Sequence, residues 1–362
     1  MSCPARIYPL RKPRNHRLPI RRWQLAFPKG ITQAFTAYVG LQKRSTDAHA
    51  RQAGDQATKK ILAWLSDQDG PEAHEKFDLI AGNDSPGATV WACYWLDGTK
   101  YKQSLEQISL PGILKEIDSQ GRGEIGLWCE SFSSSVSRIE TNYSGLDYLP
   151  GLAKIPSTST DEHDRSAYWG AARDRIPDSG WDLFPSSADT TLLDSAPMGL
   201  GEHLVGTNYQ NLVHIRSGQY WENCNLPETT SYEENLEPTL RSGLEYLWDN
   251  PQESGCVGFR YLRNTDAEYE ATDDQELKKE SCGAGFFTNL ESLEHWAKSH
   301  PSHLAIYRGA LAHFKTFGDE RKLRTWHEVS ILREGEAKFE YINCAPNTGV
   351  MQAIRLEIKA IL

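Results

Sequence analysis

The sequence is short of several features that define large classes of protein. Its seven cysteines, at positions 3, 93, 129, 224, 256, 282 and 344, include no CxxC pair, and this spacing favours neither a zinc site nor a disulfide framework. No GxGxxG motif follows a predicted strand, so we expect no nicotinamide or flavin site. No apolar stretch approaches the length of a membrane span. These absences predict a cytoplasmic protein of a reducing compartment without membrane contact.

Positive charge is also scarce. The chain has 39 Lys and Arg against 49 Asp and Glu, a formal net charge of −10. Nucleic acids and anionic membranes need a positive face, so neither is an expected partner. The basic opening from Arg11 to Arg22 is a local exception, but Pro13 and Pro19 oppose the amphipathic helix of a mitochondrial leader. We predict that residues 1–30 form an extended arm on the surface.

The arrangement of predicted elements indicates a duplicated core. A chain of 362 residues with 39% hydrophobic content exceeds the usual size of one domain. The predicted strands are residues 36–41, 88–96 and 124–129, then 211–215, 256–262 and 323–332; the predicted helices are residues 50–65 and 104–117, then 232–247 and 290–317. We therefore predict an α+β fold of two ferredoxin-like halves, residues 31–200 and 201–362, whose sheets meet face to face or close into a barrel.

Three segments are predicted to be irregular. Residues 154–165 and 185–202 are rich in the residues of exposed loops, and residues 264–279 are dense in acidic side chains. The acidic segment is expected to be a solvated insertion, and its charge is not expected to hold a metal.

His303 lies in an apolar helical stripe near the carboxyl end of the chain. The helical period places Tyr307, Ala310, Phe314 and Phe317 on its face. An unpartnered imidazole is costly against a core. His303 is therefore either a hydrogen-bonded core residue or a ligand held rigidly by the helix.

Pro301 divides His303 from a second candidate, His300. Residues before proline avoid the helical region, whereas proline itself suits a first helical turn. The helix is predicted to begin at or just before Pro301. Only His303 is then inside the helix, which favours it over His300 as a ligand.

His327 shows a different pattern, that of a strand. Val329 and Ile331 share its face. The opposite face carries Trp326, Glu328 and Ser330. The chain thus offers two inward imidazoles of different kinds: one suited to ligate a metal while neutral, and one suited to exchange a proton near neutral pH.

Six strings in this chain together resemble a known family. They are ETNYSGLDYLPG (140–151), YWGAARDRIPDS (168–179), VHIRSGQYW (213–221), HPSHLAIY (300–307), LRTWHEVSIL (323–332) and FEYINCAPNTGV (339–350). They closely resemble the aldoxime dehydratases, haem enzymes that convert an aldoxime to a nitrile. The resemblance extends from about Arg21 to Val350. It implies an α+β barrel-type fold, a homodimer and a small-molecule aldoxime substrate.

The resemblance implies haem b as cofactor, ferrous in the active state, with His303 as the iron ligand. A helix-borne imidazole suits this role because the helix fixes the ring against the porphyrin. A thiolate-ligated haem is not favoured, since no cysteine lies in a recognisable ligand loop. The side chains expected to contribute to the apolar wall are Leu304, Leu311, Phe314 and Phe317.

The resemblance also implies four residues for the chemistry. His327, in the HEV motif, is the general acid and base, and Ser217 holds the oxime hydroxyl. Arg175 and Glu140 are expected to keep His327 protonated or to orient it. Taken alone, Ser217 also fits a turn and the other two a surface ion pair. Arg173 is a rival of Arg175 in the same motif.

Two other functions use a similar pocket. One is a haem peroxidase or dismutase-like oxidoreductase, and the other is a haem carrier or gas sensor. The pair of Ser217 and His327 favours the lyase, because a carrier needs neither. The preference for aryl or alkyl substrates, the oxime stereoisomer and the oligomeric state are not accessible from these patterns.

Overall fold

The computed structural model describes residues 6–187, 193, 197–266 and 278–361. Cys3, most of the predicted acidic insertion and part of the predicted loop 185–202 lie outside these residues. No helix in the described part of the chain is long and apolar enough to cross a membrane.

The strands all belong to one sheet. In the amino-terminal part they are β1 (Arg22–Ala26), β2 (Gln33–Lys43), β3 (Ala73–Gly82), β4 (Thr89–Trp95), β5 (Ile125–Ser135), β6 (Ile139–Tyr143) and β7 (Ser159–His163). In the carboxyl-terminal part they are β8 (Glu202–Thr207), β9 (Leu212–Tyr220), β10 (Cys256–Asn264), β11 (Glu280–Phe287), β12 (Arg324–Leu332), β13 (Ala337–Ile342) and β14 (Glu357–Ile361).

The α-helices lie between these strands. They are α1 (Ala48–Leu65), α2 (Gly98–Gln107), α3 (Leu110–Glu116), α4 (Ala171–Arg175), α5 (Leu226–Ser231), α6 (Glu237–Asp249), α7 (Pro251–Ser254), α8 (Leu290–Ser299) and α9 (Pro301–Phe317). A π-helical turn, Tyr232–Leu236, joins α5 to α6.

Within the described residues the sheet has fourteen strands, and all its strand pairs are antiparallel. Their order is β14-β8-β13-β5-β2-β4-β3-β10-β11-β9-β12-β6-β1-β7. Two runs of four strands lie at its centre, β5-β2-β4-β3 and β10-β11-β9-β12. Each run is built by the same chain order, strand, helical segment, two strands, helical segment, strand. The pairing of β3 with β10 joins the runs.

The two runs also face each other through their inner surfaces. The ring of His214 on β9 lies 5.2 Å from that of Tyr38 on β2 and 4.7 Å from that of Phe132 on β5. Phe286 of β11 completes this aromatic contact. The helices therefore cover the outer faces, while the inner faces form a shared core, as expected for the predicted α+β architecture.

The sequence placed most central elements correctly but merged or missed others. The predicted helix 104–117 is divided, because Ser109 caps the start of α3 and Pro111 occupies its first turn. The predicted helix 290–317 is likewise two helices, α8 and α9. His300 between them is extended, as a residue before proline prefers. The start of α9 at Pro301 is confirmed.

Strands β3 and β11 were not predicted, although they lie near the middle of the sheet. In β3, Glu75 is fully buried in a salt bridge with Arg216, so the strand lacks a clear polar face. β11 contains Gly283 and Gly285, and the low strand propensity of glycine explains why the sequence pattern did not predict this strand. The predicted loop 154–165 was wrong in part, since it contains β7, which pairs with β1. Strands β3, β11 and β7 each pair with a strand that is distant in sequence, which local patterns do not indicate.

The amino-terminal segment is held to the body by main-chain contacts. The backbone N–H groups of Arg11 and Lys12 donate to the Asp174 carboxylate, and that of Ile7 donates to the Gly180 carbonyl. Residues 22–26 within it form β1, so the described part of this segment, residues 6–30, is an irregular stretch that contains one edge-proximal strand.

Candidate active site

A cavity of about 550 Å³ separates the outer face of β9 and β12 from the helices that cover it. Its volume lies in the range of small-molecule and cofactor sites. Apolar side chains from five elements form most of the wall: Leu240, Leu244 and Leu247 of α6, Phe259 of β10, Phe287 of β11, Leu293 and Trp296 of α8, and Ile306 of α9. A few polar groups face the same space.

Two of those polar groups lie directly opposite each other on neighbouring strands. His327 of β12 is the register partner of Ser217 of β9. Side chains of such cross-strand partners project from the same face of a sheet. The predicted alternation around His327 is confirmed, since Val329 also lines the cavity whereas Trp326 and Glu328 are buried on the other face. An imidazole and a hydroxyl are thus held side by side.

Glu140 and Arg175 lie beside this pair. Glu140 of β6 is the register partner of Val329, two residues along β12 from His327 on the same face. Its carboxylate Oε1 is 2.8 Å from His327 Nε2. Arg175, at the end of α4, donates to Glu140 through Nε at 2.9 Å and Nη2 at 3.2 Å. The surface ion pair that these two residues also suggested is wrong, because both side chains are almost completely buried.

The charges of this cluster decide which atom of His327 holds a proton. Burial alone would raise the pKa of the Glu140 carboxyl, but Arg175 and His327 outweigh it and lower the pKa to about 2. Glu140 is therefore ionised, and an imidazole Nε2 at 2.8 Å from a carboxylate oxygen is best assigned as its donor. Arg175 Nη2 lies 3.0 Å from the same nitrogen, but with the proton on Nε2 both atoms are donors, so this contact is not a hydrogen bond. Nδ1 of His327 makes no hydrogen bond among the described residues and stays available to a ligand.

His303 reaches the cavity from the helical side. Burial lowers the pKa of this imidazole to about 4, against a smaller opposing effect of the Ala297 main chain. It is therefore neutral near pH 7, the form that binds a metal ion. Its ring packs against Trp296 at 4.7 Å. Nδ1 is buried and has no well-formed hydrogen bond to the described residues. A neutral imidazole that lines an apolar cavity and has a nitrogen without a well-formed hydrogen bond is suited to be a haem ligand.

The geometry separates each pair of rival residues. His300 lies outside the cavity, where it caps α9 by accepting from the Ser302 N–H and stacks on Tyr246 at 3.7 Å. Arg173 points away from His327 and forms a two-point ion pair with Glu294. Both alternatives therefore already have structural roles.

The predicted helical wall does not line the main cavity, although Phe314 lines a smaller cavity beside it. None of Leu304, Leu311, Phe314 and Phe317 lines the main cavity, and Tyr307 and Ala310 of the supposed stripe are exposed. Helix α9 packs largely on α6, so it presents only its first two turns, through His303 and Ile306, to the cavity. The walls that replace the predicted ones come from α6, α8, β10 and β11, and no local spacing indicated that these segments converge.

A further polar contact behind the cluster was also missed. Asn142, a register partner of His327, is 3.2 Å from His163 Nε2 through its Oδ1. The carbonyl of Arg165 accepts from Arg175 at 2.5 Å. His163 ends β7 and Arg165 lies just after it. Because the sequence pattern predicts a loop here, it gave no indication that these two residues lie near the site.

Comparisons with known proteins agree with this geometry. A sequence model described as haem-containing dehydratase matches residues 37–350. The aliphatic aldoxime dehydratase of Pseudomonas chlororaphis is 31% identical over 354 residues, which cover 97% of this chain and 96% of the relative. The phenylacetaldoxime dehydratase of Bacillus sp. (strain OxB-1) is 30% identical over 353 residues, covering 94% and 93% respectively.

Solved structures extend the similarity to the fold. A crystal structure of an aldoxime dehydratase has a TM-score of 0.80 and 31% identity, with 96% of this chain and 95% of that chain covered. A second, of an aldoxime dehydratase in complex with butyraldoxime, has a TM-score of 0.80 and 29% identity, with 96% and 93% covered. The similarity therefore includes both four-strand runs and the strands that flank them.

Proposed function

This chain belongs to the haem-containing dehydratase family, and we propose that it dehydrates aldoximes, R–CH=N–OH, to nitriles and water in the cavity between the sheet and α9. The observation that carries this proposal is the cross-strand pair of Ser217 and His327, which faces the cavity entered from the other side by His303. A hydroxyl and a proton-exchanging imidazole beside one apolar site match a reaction that expels hydroxide and removes a proton from carbon.

His303 is the residue that would hold haem b. Its imidazole is neutral, the surrounding walls are apolar, and its helix fixes the ring. Haem bound there would supply a ferrous iron as a Lewis acid for the oxime nitrogen. The remaining steps fall to side chains of the sheet.

Ser217 and His327 act on the oxime hydroxyl. The Ser217 hydroxyl donates to the oxime oxygen and fixes its direction. His327 protonates that oxygen through Nδ1, so that the N–O bond breaks with loss of water rather than hydroxide. The imidazole, now neutral, then accepts the proton from the oxime carbon as the nitrile bond forms. The ring ends the cycle protonated as it began.

Arg175 and Glu140 hold the imidazole in position. The ionised Glu140 accepts from His327 Nε2, which leaves Nδ1 directed to the substrate and stabilises the positive charge of the protonated ring. Arg175 in turn neutralises Glu140, since a lone buried carboxylate would be costly. These two residues act through His327 and need not touch the substrate.

We also propose the finer architecture that the resemblance implied. The strand orders β5-β2-β4-β3 and β10-β11-β9-β12, each with the same chain order, support two ferredoxin-like halves in a barrel-type fold. The boundaries 31–200 and 201–362, the surface arm 1–30, the homodimer and the cytoplasmic location remain predictions of the sequence.

The oxidoreductase and carrier alternatives are not favoured by the similar proteins. A haem carrier would not need the buried Glu140–Arg175 ion pair or the Ser217 hydroxyl that faces the cavity. A peroxidase would use an oxidant in place of the aldoxime.

Anaerobic turnover of butyraldoxime and phenylacetaldoxime tests the proposed function. The purified protein is expected to show a Soret band and to form the nitrile after reduction with dithionite. Nitrile would be measured by gas chromatography, with hydrogen peroxide and a chromogenic donor as a parallel assay. Haem-loaded protein that forms no nitrile in either redox state would refute the lyase, and peroxide-dependent oxidation without nitrile would support the oxidoreductase.

A further inference from the structure

A second, smaller cavity adjoins the first. It has a volume of about 100 Å³ and lies between the amino-terminal segment, β12 and α9. Gln219, Leu240 and Ile306 line both cavities, so these side chains lie between them. Both cavities are mainly apolar, and two arginines, Arg22 and Arg321, line the small one.

Neither arginine has a carboxylate partner in an ion pair among the described residues. Arg22 donates through Nη1 to the Thr325 hydroxyl at 3.2 Å. Arg321 donates through Nη1 to the Gly318 carbonyl at 3.1 Å and lies over the Phe314 ring at 4.8 Å. Burial lowers the pKa of Arg22 to about 10, and Arg321 and Arg175 act in the same direction. Two cations thus share one recess with neutral partners.

The opposite end of the large cavity differs. Arg11 lines it there, and its guanidinium is 3.3 Å from the Glu294 carboxylate. Arg173 pairs with the same carboxylate at 2.7 Å. Two guanidiniums thus share one carboxylate at that end, and Lys298 also lines the large cavity. Arg22 and Arg321 have no carboxylate within ion-pair distance among the described residues, and Asp319 and Glu228 act on Arg321 only from farther away, so both arginines keep N–H donors for an anionic ligand group.

We propose that Arg22 and Arg321 bind the propionate carboxylates of the haem, so that the small cavity receives the charged edge of the porphyrin. Guanidinium groups suit this task because they bind carboxylates through paired N–H donors. The inference rests on the proposed haem site. It adds the orientation of the macrocycle, with its two carboxylates toward the amino-terminal segment and away from Glu294.

The position of the arginines along the sheet agrees with this orientation. Arg22 contacts Thr325, which is the cross-strand partner of Gln219. This pair lies two residues along the strands from the pair of His327 and Ser217 and on the same face of the sheet. Two residues of a strand span about 7 Å. The arginines therefore lie to the side of the reacting row, where the edge of a porphyrin lying over that row, rather than its centre, would reach them.

Binding of two porphyrins to the haem-free protein tests the proposal. Haem and haem dimethyl ester share the macrocycle and the iron, but the ester lacks the two carboxylate charges. Each would be titrated into the protein while the Soret band is followed. Wild type is expected to bind haem at least about tenfold more tightly than the ester, a difference of about 1.4 kcal/mol.

The variants R22Q and R321Q should remove that preference. Each is expected to weaken haem binding about tenfold and to leave ester binding within a few-fold of wild type, which would also show that the pocket is folded. R22K keeps the charge and should retain most of the affinity for haem. R11Q, at the end where Glu294 lies, is the comparison variant and should reduce haem affinity less than R22Q or R321Q does.

The possible failures are distinguishable. Equal affinity of wild type for haem and ester would overturn the proposal, as would full haem affinity in R22Q and R321Q. A loss in R11Q as large as theirs would place the propionates at the other end. Weakening of haem and ester by the same factor would reveal a structural effect only, and overturn it too. Wild-type protein that binds neither porphyrin would refute the haem site itself.

Discussion

The two four-strand runs have the same order of elements, yet the face under α1 in the first is closely packed and the face under α9 in the second is hollow. We call them the solid run and the hollow run after these two faces, although a separate cavity of about 410 Å³ lies beside α2 in the first run. In the first, seven residues of α1 are buried, and its small side chains Ala50, Ala53 and Ala57 bring the helix close to β2. In the second, α9 is nearly as long, but only His313 is buried to the same degree. The helix stands away from β9 and β12, and the cavity occupies the difference.

This contrast shows that topology alone does not create a site. The outer face of β2 presents Ala37, Val39 and Leu41, all fully packed. The corresponding face of β9 presents Ile215, Ser217 and Gln219 to open space. The hollow run gives up apolar burial, worth about 25 cal/mol per Å², and retains volume and polar groups for a ligand.

The largest functional effect is expected from His303→Ala in the hollow run. This change removes the only helix-borne imidazole that lines the main cavity in the described chain, so haem should be lost on purification and all turnover with it. The ratio of Soret to protein absorbance measures this. His300→Ala, which removes only a helix cap worth about 1 kcal/mol, should keep haem. The opposite pattern would mean that the ligand has been misassigned.

His327→Ala should separate binding from chemistry within the hollow run. The variant is expected to keep haem and to bind butyraldoxime, seen as a shift of the Soret band, while turnover falls about 10² to 10⁴-fold for loss of acid–base catalysis. His203 provides a matched control, because its Nε2 also lies 2.8 Å from a glutamate, Glu340, but outside the cavity. His203→Ala should turn over normally. Comparable losses in both variants would refute a catalytic His327.

Ser217→Ala should have a smaller effect. Losing one hydrogen bond to a reacting group typically costs about 10² to 10³ in turnover, and haem content should not change. Ser131→Ala, on β5 of the solid run, is the control and should stay within a few-fold of wild type in steady-state nitrile formation. A Ser217→Ala enzyme as fast as that control would remove the hydroxyl from the mechanism.

A pair of core truncations compares the runs directly. Ile61→Ala in the solid run should cost about 2–5 kcal/mol in the free energy of unfolding, because it opens a new void. Leu244→Ala should cost about 2 kcal/mol or less, since that side chain already borders a cavity. Urea unfolding of the haem-free proteins measures both.

Haem affinity should respond in the reverse order. Leu244→Ala enlarges the site and should weaken haem, whereas Ile61→Ala should leave haem affinity unchanged. Equal costs in stability and equal haem affinities in the two variants would contradict the distinction between a solid and a hollow run.

The local part of this account was available from the sequence. Pro301 determined where α9 begins, because the residue before a proline avoids helical geometry. The alternation around His327 determined which side chains share its face. The motifs also identified Glu140, Arg175 and Ser217 as residues to consider. Each of these depends on neighbours within a few positions along the chain or on direct similarity.

What lies around those residues was decided by the tertiary structure. The stripe through Phe314 and Phe317 marked a helix face but not its partner, and packing of α9 on α6 directed it away from the main cavity. The strand register placed Ser217 opposite His327. Strand β7 could not be predicted from local patterns, because its partner β1 is more than a hundred residues away along the chain. Local spacing sets the direction of a side chain relative to its own backbone. The groups that it meets depend on contacts between distant segments, which exist only once the chain has folded.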